Sequence, residues 1–129
     1  MSEYHALKGF LNPGSVAVIG VSRRTGPDAY NPVERMVENG YQGRIYPVNP
    51  NAAEIFGRKC YPQVKDIPEG VDLALICTPR DSVLKAVSDC AAKGIRRAIV
   101  IAQGFADADD IGREMQEKLV SAARSAGMR

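Results

Sequence analysis

The sequence predicts an α/β chain built on a doubly wound parallel sheet, with helices on both faces in three α/β/α layers. Three observations carry that expectation. Four short apolar runs are spread along 129 residues, a length that fits one domain. Each run is followed by a loop and then a helix signal, so the order reads β-α-β-α-β-α-β-α, which closes as parallel strands with right-handed crossovers. The run Val71–Cys77 is nearly continuous in apolar residues, as expected of a strand covered on both faces.

The elements follow in order. Residues Ala6 to Leu11 suit about one helical turn before the turn signal Asn12-Pro13-Gly14. Val16 to Gly20 is the first strand, and residues 21 to 30 are a loop. Asn31 suits a helix cap and Pro32 the first helical position; Val33, Met36 and Val37 continue that helix, and Gly40 stops it. Arg44 to Val48 is the second strand, which Pro47 makes short or bounded. Asn49-Pro50-Asn51 is a turn, Ala52 to Phe56 a short helix ended by Gly57, and the stretch through Tyr61–Val64 and Ile67-Pro68 an irregular connection. After the third strand, Thr78 to Ser82 lead into a helix whose Val83, Leu84, Val87, Cys90 and Ala91 repeat at helical spacing up to Gly94. Ala98 to Ala102 is the fourth strand. Asp109 and Asp110 suit the next helix start, with Ile111, Met115, Leu119 and Ala122 on one face. The chain reaches Arg129 just past the stop at Gly127, where a fifth strand is due, so the expectation is a cut piece of a longer protein or a sheet completed elsewhere.

Composition narrows the function classes. Hydrophobic content of 45%, charged content of 25% and a net charge of +2 are those of an ordinary globular protein, with no global field for nucleic acid or membrane. Without a long apolar run or the layout of a secretory signal, the expected compartment is the cytoplasm. Cys60, Cys77 and Cys90 lack metal-ligand spacing and read as small buried hydrophobes; His5 reads as a solvated residue near the terminus.

In such a sheet the ligand crevice lies beyond the carboxyl ends of the strands, at residues 20–30, 48–53, 77–82 and 102–108. The first loop carries Gly20, Ser22, Arg23, Arg24, Thr25 and Gly26, which matches neither a P-loop nor GxGxxG. Its N–H groups, hydroxyls and two arginines suit phosphate, and a solvated basic turn fits equally. The second loop, Val48-Asn49-Pro50-Asn51, has no carboxylate before Glu54. That argues against NAD and permits NADP or another 2′- or 3′-phosphorylated adenosine. In the third, Thr78-Pro79 offers a rigid wall for an adenine or a pantetheine arm, with Arg80 beside it as a surface arginine. In the fourth, Ala102-Gln103-Gly104 allows close backbone approach, and Phe105 packs under its helix. No catalytic set emerges: Asp72 reads as structural, Asp107, Asp109 and Asp110 as helix capping, and Arg96-Arg97 as a solvated pair.

The runs "NPGSVAVIGVSRR", "GYQGRIYPVNPNAAEIFGRKCYP", "VDLALICTP" and "AIVIAQGFAD", in this order, resemble the N-terminal CoA-binding domain of the NDP-forming acyl-CoA synthetases, with the succinyl-CoA synthetase α subunits as more distant relatives. The resemblance covers essentially the whole chain. It implies a Rossmann-like fold, with residues 1–129 as a single CoA-binding domain at the N-terminal end of a multidomain protein whose later segments, in the same chain or another subunit, complete the ligase. It implies coenzyme A held with its phosphates at Ser22–Gly26, its adenosine and 3′-phosphate along Val48–Asn51, Thr78-Pro79 packed on the ligand, and Ala102-Gln103-Gly104 at the pantetheine end. The family commonly has a lysine where this chain has Asn51, and a small or hydroxyl residue where it has Gln103. The family's phosphohistidine belongs to a following domain, which His5 does not match, so this chain by itself is expected to bind CoA and catalyse nothing. Other readings are the CoA-binding regulatory domain of a lysine acetyltransferase, a free-standing CoA-binding protein and an NADP-binding domain.

Overall fold

The computed structural model describes residues 3–101, 105 and 108–129, with the side chains of residues 3–6 outside that description. Strands β1 (Ser15–Ile19), β2 (Arg44–Val48), β5 (Leu73–Ile76) and β6 (Ala98–Val100) form one parallel sheet in the order β2-β1-β5-β6. Helices α1 (Glu3–Leu11), α2 (Pro32–Glu38), α3 (Arg80–Lys93) and α4 (Asp110–Ser125) alternate with them. Side-chain alternation divides the core into two layers. Val16, Val18, Ile45 and Leu73 face Val33 of α2 and Phe10 of α1; Ala17, Ile19, Ala74 and Ile76 face Val83, Val87 and Cys90 of α3.

Pro47 is tolerated because β2 is an edge strand. Its carbonyl accepts from Tyr61 N–H, so residue 47 points away from β1 and its missing N–H costs no bond to the neighbouring strand. Asn31 caps α2, its Oδ1 accepting from the N–H of Val33 and Glu34. Gly94 ends α3 in the left-handed conformation. Asp72 ties the far end of the sheet: its carboxylate accepts from Gly14 N–H at 2.9 Å and its N–H donates to Ser15 Oγ at 3.0 Å.

Three expectations are corrected. Ala52–Phe56 is no helix; β3 (Glu54–Ile55) and β4 (Arg58–Lys59) form an antiparallel hairpin instead. Phe56 and Gly57 both hold positive φ, 46° and 75°, the backbone a tight two-residue hairpin turn demands. On α3 the apolar Leu84 is exposed and Ala86 is buried in its stead; on α4 Ile111 is 63% exposed, while Met115, Leu119, Ala123 and Ala126 pack on the core. Of the expected solvated pair, Arg96 is exposed and donates to the Ala126 carbonyl at 3.3 Å, whereas Arg97 is half-buried with its guanidinium against Gly9.

The outer edge of β6 carries a further step. Arg129 N–H donates to the Arg96 carbonyl at 2.9 Å and Ala98 N–H donates to the Arg129 carbonyl at 2.8 Å, the bond pattern of a parallel bridge. No helix among the described residues is long and apolar enough to cross a membrane.

Candidate functional site

The chain leaves β1 for β2 on one side, then crosses to β5 on the other, so a crevice opens beyond the adjacent tips of β1 and β5. Gly20 ends β1 at φ +78°, and a Cβ there would lie 3.0 Å from Thr78 N and 2.6 Å from Thr78 Cγ2. Only a residue without a side chain lets these two tips touch.

A cavity of about 460 Å³ lies against this contact. From the strand tips it is lined by Ile19, Gly20, Val48, Asn49, Pro50 and Thr78. Five residues named from the sequence, Gly20, Val48, Asn49, Pro50 and Thr78, thus share one concavity. Asn51 and Pro79 adjoin it in the chain without lining it. Ala102, Gln103 and Gly104 lie outside the described residues, as does Asp107; Phe105 is buried in the core.

The first loop is arranged differently from its expectation. Ser22, Arg23, Arg24 and Thr25 are exposed and do not line the cavity. The Ser22 hydroxyl accepts from Arg24 N–H at 3.0 Å. Gly26 N–H, expected to face a phosphate, donates to both oxygens of the buried Glu34 carboxylate at 2.9 and 3.2 Å. Asn31, which the sequence marked only as a cap, also donates from Nδ2 to the Ser22 and Arg24 carbonyls at 2.8 and 3.1 Å. The loop is therefore pinned from beneath by α2, with its two arginines turned to solvent. Asn49 fastens the first loop to the second, its Nδ2 donating to the Val21 carbonyl and its Oδ1 accepting from Asn51 N–H, both at 2.8 Å.

Sequence reasoning missed the opposite wall. Pro62, Gln63 and Val64 close one side, and Ser82, Lys85, Ala86 and Asp89 of α3 close another. Positions 82, 85, 86 and 89 form one helical stripe, a spacing present in the sequence. Lys85 Nζ meets Asp89 Oδ2 at 2.7 Å. Arg80 instead reaches across to the start of α4, 3.2 Å from Asp109 Oδ1. Asp109 caps that helix by accepting from Gly112 N–H at 2.6 Å, and this bond, with the Arg80 charge, holds its carboxyl below the ordinary carboxylate range. At the end of β5, burial raises the Cys77 thiol above its ordinary value, which keeps it protonated and a poor nucleophile at neutral pH. Among the described residues, no group of His, Cys, Asp and Glu is placed to hold a metal ion.

The lining suits a ligand with apolar and polar parts. Ile19, Val48, Pro50, Pro62, Val64 and Ala86 supply apolar wall for a ring or an alkyl amide arm. Thr78 Oγ1 is buried and, among the described residues, has no hydrogen-bond partner. Leaving a buried hydroxyl unpaired is costly.

The chain is similar to known proteins. The CoA binding domain family matches residues 14–129. The chain is 42% identical over 123 residues to acetate–CoA ligase [ADP-forming] II of Archaeoglobus fulgidus, covering 95% of this chain and 18% of that protein. It is 39% identical over 128 residues to the α subunit of acetate–CoA ligase [ADP-forming] I of Pyrococcus furiosus, covering 96% of this chain and 28% of that subunit. A solved structure of dinucleotide-forming acetyl-coenzyme A synthetase 1 from Ca. Korarchaeum cryptofilum, in complex with phosphate and ADP, superposes with a TM-score of 0.86 at 39% identity, over 95% of this chain and 26% of the other. The chain thus spans between 18% and 28% of the length of these relatives. With the family model matched from Gly14 through Arg129, the chain belongs to the CoA binding domain family.

Proposed function

We propose that this chain is the coenzyme A-binding module of an NDP-forming acyl-CoA synthetase, whose complete protein joins a carboxylic acid to CoA at the expense of a nucleoside triphosphate. The observation that carries the reading is the convergence of Gly20, Val48, Asn49, Pro50 and Thr78 on one cavity at the switch point of a parallel sheet. The family membership and the two acetate–CoA ligase relatives support it. The share of those relatives that the chain spans supports placing the nucleotide and acyl chemistry in further domains, in the same chain or a partner subunit. This reading implies a protein of the cytoplasm, where CoA and nucleoside triphosphates are at hand.

In this reading the five cavity residues hold the adenosine and the start of the pantetheine arm. The exposed Arg23 and Arg24, with Ser22 and Thr25, meet the pyrophosphate outside the cavity, while Gly26 stays bonded to Glu34 and holds the loop's shape. Asn51 and Pro79 flank the ligand, and Ala102-Gln103-Gly104 approaches its thiol end.

Calorimetric titration of the chain with CoA, and separately with NADPH, tests this. Saturable heat with CoA, undiminished by excess NADPH, is the expected result. Absence of heat at millimolar CoA, or displacement of CoA by equimolar NADPH, overturns the assignment.

A further inference from the structure

The α3 wall of the cavity holds the charges that the strand-tip wall lacks. From Pro47 to Gly57 the sequence contains neither lysine nor arginine, so the segment bearing Val48, Asn49 and Pro50 brings surface and backbone but no cation. Arg23 and Arg24 do not line the cavity. Among the described residues that do, Lys85 is the cation and Asp89 the anion, and the two are paired at 2.7 Å.

Resting on the CoA reading, we propose that Lys85 binds the ligand's terminal phosphomonoester, the 3′-phosphate of CoA, and that Asp89 holds the ammonium in place until the phosphate displaces it. The pair is easily exchanged. Its side chains are 78% and 48% exposed, and an exposed i,i+4 ion pair belongs to the weakest class of ionic contacts. A phosphomonoester carries close to two negative charges at neutral pH with three acceptor oxygens, against one charge on a carboxylate, so it wins the competition for a single ammonium. Each phosphorus of the pyrophosphate bridge carries only one charge, which makes the monoester the stronger competitor. Lysine suits the exchange, since its ammonium is a point charge on a flexible four-carbon stem and can swing while its helix stays still. Asp89 is then a specificity device: a ligand without the dianion has to leave the pair intact or break it for no equal return.

The experiment is a set of calorimetric titrations of the chain and three variants, Lys85→Ala, Lys85→Arg and Asp89→Asn, with CoA and with 3′-dephospho-CoA. Lys85→Ala is expected to weaken CoA binding about tenfold and 3′-dephospho-CoA less than about twofold, the size of one charge-assisted contact. Lys85→Arg keeps most of the affinity. Asp89→Asn is expected to tighten CoA about threefold, because the internal competitor is gone, and to leave 3′-dephospho-CoA unchanged. The opposite signs matter, since Lys85→Ala and Asp89→Asn delete the same ion pair, and a merely structural role would move both variants the same way. Equal loss for both ligands in Lys85→Ala, no loss for either, or weakening by Asp89→Asn overturns the proposal while CoA binding by the fold stands. If the unaltered chain binds neither ligand, the functional reading falls and takes this proposal with it.

Discussion

Asn31 makes four hydrogen bonds from one buried side chain. Its Oδ1 caps α2, and its Nδ2 gathers the Ser22 and Arg24 carbonyls of the first loop. Replacing it with alanine removes a cap and leaves two carbonyls without their donor, a loss of about 3 kcal/mol. Asn31→Asp separates the two roles. The carboxylate still caps the helix but cannot donate, and it sets negative charge against two carbonyl oxygens. Urea denaturation should therefore rank the chain above Asn31→Asp and Asn31→Asp above Asn31→Ala. An Asn31→Asp variant as stable as the unaltered chain would show that the loop bonds carry nothing. The sequence identified the cap from Asn31-Pro32 but gave no sign of the second role, because the carbonyls involved lie seven and nine residues back and carry no side-chain signature. Asn49 is a parallel case. Its residue type marked it for a ligand, whereas its amide joins two loops and thereby shapes the cavity it lines.

At the scale of elements, Asp109 links the third crossover to the fourth, capping α4 with one carboxylate while binding Arg80 at the head of α3. The Gly112 N–H bond, aided by the Arg80 charge, lowers its pKa on folding. A carboxyl with a depressed folded pKa contributes stability above its unfolded pKa and loses it as pH falls through the folded value. Asp109→Asn should thus melt below the unaltered chain at pH 7, with the gap closing as pH drops below about 4. A gap that persists unchanged at low pH would assign the effect to shape instead of charge. This capping role was legible, because Asp109 precedes a helical period. The hairpin of β3 and β4 was not. Ala52–Phe56 has residues compatible with a helical turn, and the deciding feature is a positive φ at Phe56, a residue type that seldom adopts one. On α4 the period was legible but its phase was off by part of a turn: Met115 and Leu119 face the core, and Ala123 with Ala126, not Ile111, complete the stripe.

Over the whole molecule, the sheet was readable because each central strand is an apolar run between turn residues, and the position of the crevice follows from topology alone. The α3 side of the cavity was not readable in the same way. Ser82, Lys85 and Asp89 are exposed polar residues on a helix, and only the packing of α3 beside the strand tips puts their face along the rim of the cavity. The core beneath that helix makes one further demand. Cys90 is fully buried between α3 and the sheet, and burial, with the nearby Asp89 charge, pushes its thiol from the ordinary value of 9.0 up to about 12. At pH 8 about one thiol in ten thousand is then ionised, so labelling of Cys90 requires the chain to open. Between about pH 9 and pH 12 the unfolded chain releases this proton and the folded chain keeps it. The folded state therefore binds more protons, and stability falls as pH rises, by up to about 1.4 kcal/mol per pH unit. Cys90→Ala leaves a smaller side chain in the core and should cost stability at pH 7, yet its stability should decline less steeply across the alkaline range. Urea midpoints at pH 7, 9 and 10 measure both slopes. Parallel slopes for the two proteins would mean that the thiol ionises in the folded state as readily as in the unfolded one, and that α3 does not seal this part of the core.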